Sequence, residues 1–373
     1  MRGSMVKPIL LCLLAAAVLQ ATRIETADVF RSGEDGYHTY RIPALIATRK
    51  GTLLAFCEGR RHSGGDSGDI DLLLKRSFDR GKTWTTAQVL VDFGSDTIGN
   101  PAPVEDRRTG VILLLLTRNP GDVTEKQIVT SAVAGTRTVW ITRSADDGAT
   151  WSPPEEITSS VKRPSWTWYA TGPGNGIQLR TGRLVIPCDH MEKGDHVDAG
   201  SGVKHSHIIY SDDHGKTWRI GGVAGEGTNE SAVVELRDGS LLLNMRSYLG
   251  RNRRAIAHSL DGGLAWSPLA DDPALIEPVC QASLIAARGR LLFSNPADTK
   301  RDRITVRLSR DDGKTWPVAK LIYEGPSAYS SLAALRDGTI GLLYERGATS
   351  PYERIAFLRF SFGWLAERPA PVR

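Results

Sequence analysis

Three arginines stand in short motifs of unlike character: Arg41 in "YRIP" (Tyr40–Pro43), Arg246 in "NMRS" (Asn244–Ser247) and Arg301 in "KRDRITVRLS" (Lys300–Ser309). Arginine stays charged, and its planar fork pairs with both oxygens of a carboxylate, so a cluster of arginines could hold an anion in a fixed orientation. Other motifs offer groups able to move protons or attack a carbon. Asp66 lies in the glycine-rich "GGDSGD", Glu230 in "GTNES", Tyr329 in "SAYSSL" and Glu345 in "LLYERG", while "EGRRHS" adds Arg60. A tyrosine, with an ordinary pKa of about 10, becomes a nucleophile only with help. Any single arginine is most often a surface ion pair. What matters is the framework that would bring these side chains together.

Internal repeats reveal that framework. "SFDRGKTW" from Ser77, "SADDGATW" from Ser144, "SDDHGKTW" from Ser211, "SLDGGLAW" from Ser259 and "SRDDGKTW" from Ser309 all fit S-x-D-x-G-x-[TA]-W. Their starts are 67, 67, 48 and 50 residues apart, the scale of a four-stranded propeller blade of roughly 40–50 residues plus loop insertions. Each box reads as a turn: Asp accepts backbone N–H groups, Gly supplies a positive φ, and Trp packs between neighbouring sheets.

Apolar strand-like runs such as "DIDLLLKRS" and "TRTVWITRS" precede the boxes, and others such as "GVILLLLT" and "GSLLLNMRS" follow tight glycine turns. Long amphipathic helical patterns are missing. After the fifth box only three strand candidates remain, "SSLAALRD", "TIGLLYERG" and "RIAFLRFSF". The N-terminal "IETADVFRS" could supply the fourth and close the ring. The expectation is an all-β, six-bladed β-propeller, one domain over residues 22–373.

The 373 residues include 40% hydrophobic residues and 38 glycines, the composition of a turn-rich globular protein with ample material for a core. The formal charge of +5 comes from 47 basic and 42 acidic residues dispersed along the chain, without the basic run of a nucleic-acid groove. In "MRGSMVKPILLCLLAAAVLQATR", Arg2 and Lys7 precede an apolar run from Ile9 to Leu19, the pattern of a secretory signal and too short to span a membrane. A signal peptide over approximately residues 1–21 predicts a secreted or periplasmic protein with no stable membrane span once mature, expected to be a monomer. Cys57, Cys188 and Cys280 lie outside that segment; their odd number indicates no disulfide framework. Without CxxC, HExxH or a similar spacing, no metal is expected.

Five such boxes following an early "YRIP" resemble the sialidases, or neuraminidases, of bacterial and animal type, from about Ile24 to the C-terminus. The boxes alone are weak functional evidence, because similar ones decorate propellers with other jobs. The separate motifs make the resemblance specific, each contributing one polar residue of the required type. The resemblance implies an exo-α-sialidase that acts on terminal sialic acids of sialylated glycans with net retention and without a cofactor. It implies a carboxylate-binding triad of Arg41, Arg246 and Arg301, a general acid in Asp66, and a nucleophile in Tyr329 with Glu230 as its partner. Glu345 would orient Arg41, and Arg60 would touch the anion or Asp66.

Sialidases depart from the two-carboxylate scheme of most glycosidases by using a tyrosine. Their substrate offers a reason. A carboxylate nucleophile nearing a carbon that already bears a carboxylate meets like-charge repulsion, which a neutral phenol avoids. Asp66 would need a pKa above the ordinary value of about 3.9, or a mildly acidic medium.

Several alternatives stay open in the sequence. Asp69 and Asp71 rival Asp66, and Arg303, expected on the same side of its strand, rivals Arg301. The segments Arg163–Leu179 and Arg118–Gln127 are the expected rim loops, with Trp166 and Trp168 either touching ligand or packed away. The histidines between Asp189 and His207 read as a solvated loop, and the sequon at Asn229 as chance. A trans-sialidase would use the same residues plus an aromatic acceptor site. A non-catalytic sialic-acid-binding propeller is the other alternative, against which the intact Tyr329, Glu230 and Asp66 argue.

Overall fold

The computed structural model describes residues 24–130, 137–192 and 203–367; the expected signal segment lies outside them. After β1 (Glu25–Arg31) the chain forms six antiparallel meanders. The first blade contains β2 (Thr39–Ala47), β3 (Leu53–Arg60), β4 (Ile70–Ser77) and β5 (Gln88–Val91). The second contains β6 (Thr97–Glu105), β7 (Ile112–Asn119), β8 (Thr138–Ser144) and β9 (Glu155–Glu156). In the third, β10 (Trp166–Thr171) and β11 (Ile177–Gln178) both pair with β12 (Leu184–Glu192), followed by β13 (Val203–Ser211) and β14 (Arg219–Glu226). The fourth contains β15 (Thr228–Glu235), β16 (Leu241–Ser247), β17 (Arg253–Ser259) and β18 (Ala270–Ile276).

The fifth blade begins with β19 (Ser283–Ala287), β20 (Arg290–Pro296) and β21 (Asp302–Ser309). Its fourth strand is the first half of β22 (Val318–Ala334), whose second half starts the sixth blade beside β23 (Ile340–Arg346) and β24 (Arg354–Phe360). The N-terminal β1 pairs antiparallel with β24 and completes that blade, as expected from the strand deficit. Among the described residues three short helices sit between or after strands: α1 (Glu125–Val129), α2 (Thr158–Val161) and α3 (Phe362–Ala366). No helix among the described residues is long and apolar enough to cross a membrane.

The apolar runs are continuous because both faces of a blade are buried. In "VILLLLT", Leu113 and Leu115 enter the cluster shared with blade three, while Ile112, Leu114 and Leu116 enter the cluster shared with blade one, following the two-residue period of a strand. Six such clusters lie between successive blades, and one of them joins blade six, through Phe357 and β1 Phe30, to Leu45 and Leu53 of blade one.

Every box follows the third strand of its blade and has the same internal hydrogen bonding, save that the fourth, with Ala265 for Thr, lacks the hydroxyl bond. In the fifth, Asp311 accepts from the Thr315 N–H at 2.9 Å and its hydroxyl at 2.6 Å, and the Ser309 hydroxyl accepts the Gly313 N–H at 2.9 Å. These bonds, Thr315's first, hold the Asp311 carboxyl down to about 2. Two successive residues take positive φ, Asp312 at 61° and Gly313 at 88°. The Trp packs on the preceding blade: Trp84 on Phe357 at 5.3 Å, Trp151 on Phe56 at 5.9 Å, and Trp316 donates to Asp272 at 2.9 Å. First and third strands run parallel in a meander, so the boxes lie at the opposite end of the ring from the starts of the innermost strands.

Candidate active site

The starts of the innermost strands are bulged. Register shifts fall between Arg41 and Ala44 in β2, Gly99 and Ala102 in β6, Trp166 and Tyr169 in β10, Thr228 and Ser231 in β15, and Ser327 and Ser330 in β22. A bulge re-aims side chains and is frequent beside active sites. In "YRIP" it places Ile42 at φ 60°, a costly region for a β-branched residue. Pro43 has no N–H to lose from the ladder. The Ile42 N–H instead donates to the buried Glu345 carboxylate at 2.9 Å.

Glu345, at the end of β23, ties three groups together. One oxygen accepts from Arg41 Nε at 3.2 Å as well as from Ile42, and the other accepts the Tyr329 backbone N–H at 3.0 Å. Burial opposes the Arg41 charge, but Glu345, then Tyr329, Tyr352 and Asp66, raise its pKa well above the ordinary arginine value. Its Nη2 is buried without a partner among the described residues.

Tyr329 is 6% exposed. Its hydroxyl donates to Glu230 Oε1 at 2.6 Å and accepts from Arg246 Nη1 at 3.3 Å, while Arg246 also pairs with Glu230 Oε2 at 2.7 Å. The Arg41 and Arg301 guanidinium carbons lie 5.0 and 5.7 Å from the centre of the Tyr329 ring. Burial, followed by Glu230, pushes the phenol well above its ordinary pKa despite Arg246 and Arg41. The phenol is neutral at rest, with a carboxylate placed to take its proton.

Asp66 sits above this group, its side chain 71% exposed, with Arg60 Nη1 at 2.8 Å and Arg41 Nη1 at 3.5 Å. Arg60 is itself fixed by Glu58 at 2.7 Å and by the Gly64 and Gly65 carbonyls at 2.7 and 2.8 Å. Partial desolvation works to raise the Asp66 pKa, and Arg60, then Arg41, more than offset it. The carboxyl is held below its ordinary value, so of the two expectations for a general acid there the mildly acidic medium stands and the raised pKa does not. Because the Asp66 carboxyl stands open to solvent on its loop, screening by water softens this shift.

Arg41, Arg60, Asp66, Glu230, Arg246, Arg301 and Tyr329 all line one cavity of about 170 Å³, with Glu345 directly beneath. The rival residues have other partners. Asp71 is buried, accepting from Tyr37 at 2.6 Å and Arg61 at 2.6 Å, and Asp69 lies 3.3 Å from Arg61. Arg303 does not share a face with Arg301: the register shifts between Asp302 and Ile304, Arg303 takes φ 59°, and its side chain reaches Glu324 at 3.3 Å.

The histidine reading is corrected too. His190 and His207 lie in strands β12 and β13, fully buried, with their Nδ1 atoms 3.0 Å apart, and His190 stacks on Trp166 at 3.6 Å. Residues 193–202 of that stretch lie outside the described residues. Trp166 is therefore packing, whereas Trp168 lines the cavity with Glu125, so each rim segment contributes, from β10 and α1. Asn229 is 7% exposed and lines the same cavity, with no room for a glycan.

Sequence reasoning missed four residues. Tyr352 accepts from Arg301 at 2.7 Å and lies under Arg41, whose guanidinium carbon is 4.1 Å from the ring centre. Glu58 fixes Arg60 and accepts the Asn100 N–H at 2.9 Å. Arg137, held by Asn100, Asn119 and the Tyr169 carbonyl, stacks 4.1 Å over Trp168. Asp189 is the fourth. Nothing local in the sequence marks any of the four.

Comparison with known proteins follows the same lines. Residues 51–342 match the model of the BNR repeat-like domain. The chain is 36% identical to a sialidase of Micromonospora viridifaciens, over 92% of this chain but only 55% of that protein. An exo-alpha-sialidase of Arthroderma benhamiae is 31% identical, with 95% of this chain and 90% of the relative covered. Among solved structures, the Hadza microbial sialidase Hz136 superposes with a TM-score of 0.82 at 35% identity, over 91% of this chain and 68% of that one. The chain belongs to the sialidase family.

Proposed function

We propose that the protein is an exo-α-sialidase, removing terminal α-linked sialic acid from glycans with retention of configuration. The observation that carries this reading is the 2.6 Å hydrogen bond from the Tyr329 hydroxyl to Glu230, set among three arginines. A tyrosine and carboxylate so paired make a base-activated nucleophile, and the arginines select an anion at the reacting carbon.

In the first half-reaction Arg41, Arg246 and Arg301 take the substrate carboxylate. The Tyr329 oxygen attacks the anomeric carbon as Glu230 removes its proton, and the carbon–oxygen bond to the aglycone breaks as protonated Asp66 supplies a proton. In the second, Asp66 as carboxylate takes a proton from water, which attacks the same carbon, and Glu230 returns its proton to the departing Tyr329 oxygen. Two inversions give retention. The bound anion engages Arg41, weakening the field that keeps Asp66 ionised, so substrate itself favours the acid form.

The test is release of the aryl group from an aryl α-sialoside by purified, folded protein, beside Tyr329→Phe. Turnover by wild type alone is expected. No turnover by wild type, or equal turnover by both, overturns the reading. With lactose added, sialyl-lactose in place of free sialic acid would identify a transferase.

A further inference from the structure

Asp189 stands in the middle of β12, between Ala170 of β10 and Ser206 of β13. It lines the same cavity as Glu230, Arg246 and Trp168, yet is 1% exposed. Neither of its carboxyl oxygens has a hydrogen-bond partner among the described residues. Three other acids of the cavity are paired, Glu58 and Asp66 with Arg60 and Glu230 with Arg246, and the fourth, Glu125, is exposed on α1, so of the acids among the described lining residues Asp189 alone is both buried and without a partner. A buried polar group left without a partner destabilises the fold, and one facing a cavity is explained when a ligand completes it.

The surrounding charges define what could complete it. Glu230 from β15 and Glu125 from α1 oppose ionisation of Asp189, and Arg246 from β16 and Arg137 favour it. Burial and the two carboxylates prevail, and the group stands well above the ordinary carboxyl range. A neutral carboxyl offers one O–H donor and an acceptor oxygen. Arg137 adds no open cationic fork to this wall, because it is engaged by Asn100, Asn119 and the Tyr169 carbonyl. Arg246 is likewise paired with Glu230, so among the described lining residues an anionic substituent would find no unengaged cation on this wall, and an apolar one would leave the carboxyl unpaired.

We infer that Asp189 hydrogen-bonds either a hydroxyl of the triol side chain or the acylamino group of the bound sugar and so selects among sialic acids. This rests on the sialidase reading of the cavity. Three aryl α-glycosides separate the two sources: the N-acetyl parent, the parent with its triol side chain shortened by periodate and borohydride, and the analogue with a hydroxyl in place of the acylamino group.

Asp189→Ala is expected to lower kcat/KM on the parent about tenfold, one hydrogen bond's worth, and to lose less than about twofold on the substrate that lacks the group Asp189 holds. Asp189→Asn, which keeps a neutral donor and acceptor, is expected to stay within about threefold of wild type on the parent. Because the alanine removes an unpaired buried group, its melting temperature is expected to equal or exceed that of wild type. A lowered melting temperature with the same loss on all three substrates, or no loss on any, overturns the inference while wild-type turnover leaves the sialidase reading standing. No turnover by wild type removes both.

Discussion

Glu345 and Tyr329 are joined by a buried hydrogen bond of 3.0 Å from the tyrosine backbone N–H to one carboxylate oxygen, while the other oxygen holds Arg41 and Ile42. The proposed nucleophile and the first arginine thus share one anchor. Glu345→Gln removes the buried counter-charge of the Arg41 guanidinium and leaves only the exposed Asp66 at 3.5 Å, and breaking such a buried pair costs about 3–5 kcal/mol. Urea unfolding is expected to show that loss, with kcat/KM down at least about a hundredfold because anion and nucleophile are both displaced.

Tyr329→Phe removes the attacking oxygen and leaves Glu230 paired with Arg246. The fold is expected to hold, judged by an unchanged near-UV spectrum, while kcat falls by about a thousandfold or more. Steady-state kinetics on an aryl sialoside check it.

Tyr352 spaces two of the arginines, stacking on Arg41 and accepting from Arg301. Tyr352→Phe keeps the stack and loses the acceptor; Tyr352→Ala loses both. KM is expected to rise about threefold and about tenfold respectively, with kcat changed less, as for an interaction equal in ground and transition states. A fall in kcat at constant KM would contradict a role in holding the carboxylate.

With Arg60 and Arg41 holding the Asp66 carboxyl below its ordinary pKa, the acid form is lost at lower pH than for a free aspartate. On a natural disaccharide, whose leaving group needs the proton, kcat/KM is expected to fall with rising pH from the acid side. Arg60→Gln removes the cation 2.8 Å away and should move that limb to higher pH. An aryl substrate with a good leaving group should show the limb weakly or not at all. Paired pH profiles on the two substrates check both statements.

Burial, with Arg163 and His205 adding to it, drives His207 down to about 3. Unfolded histidine titrates near 6.5, so the unfolded chain binds the extra proton, and stability is full above about 6.5 and lost as pH falls toward about 3, at about 1.4 kcal/mol per pH unit. His207→Asn is expected to flatten that part of the curve of melting temperature against pH.

Much of this architecture is legible in the sequence because it repeats. The five boxes mark the third strands, and the strand deficit after Trp316 points to β1 as the missing partner of β24. The residues gathered around Tyr329 come from motifs that resemblance picks out, although β2, the β15–β16 pair and the β22–β23 pair are far apart in the chain. What escapes depends on contacts no local pattern encodes. Tyr352 meets Arg41 only after closure of blade six on blade one. His190 and His207 read as solvated because polar letters crowd that stretch, whereas strand alternation turns both into a core shared with Trp166. Strand alternation puts Arg303 beside Arg301, and a bulge in the folded strand breaks that two-residue period.

The covalent intermediate tests the central claim most directly. A sialosyl fluoride carrying a second fluorine on the adjacent carbon slows breakdown of a glycosyl-enzyme, so that intact-mass and peptide-mapping spectrometry can catch it. The prediction is one sialyl adduct per chain, on the peptide containing Tyr329 and absent in Tyr329→Phe. An adduct on Glu230, or turnover of sialoside with no adduct under any condition of trapping, would contradict it.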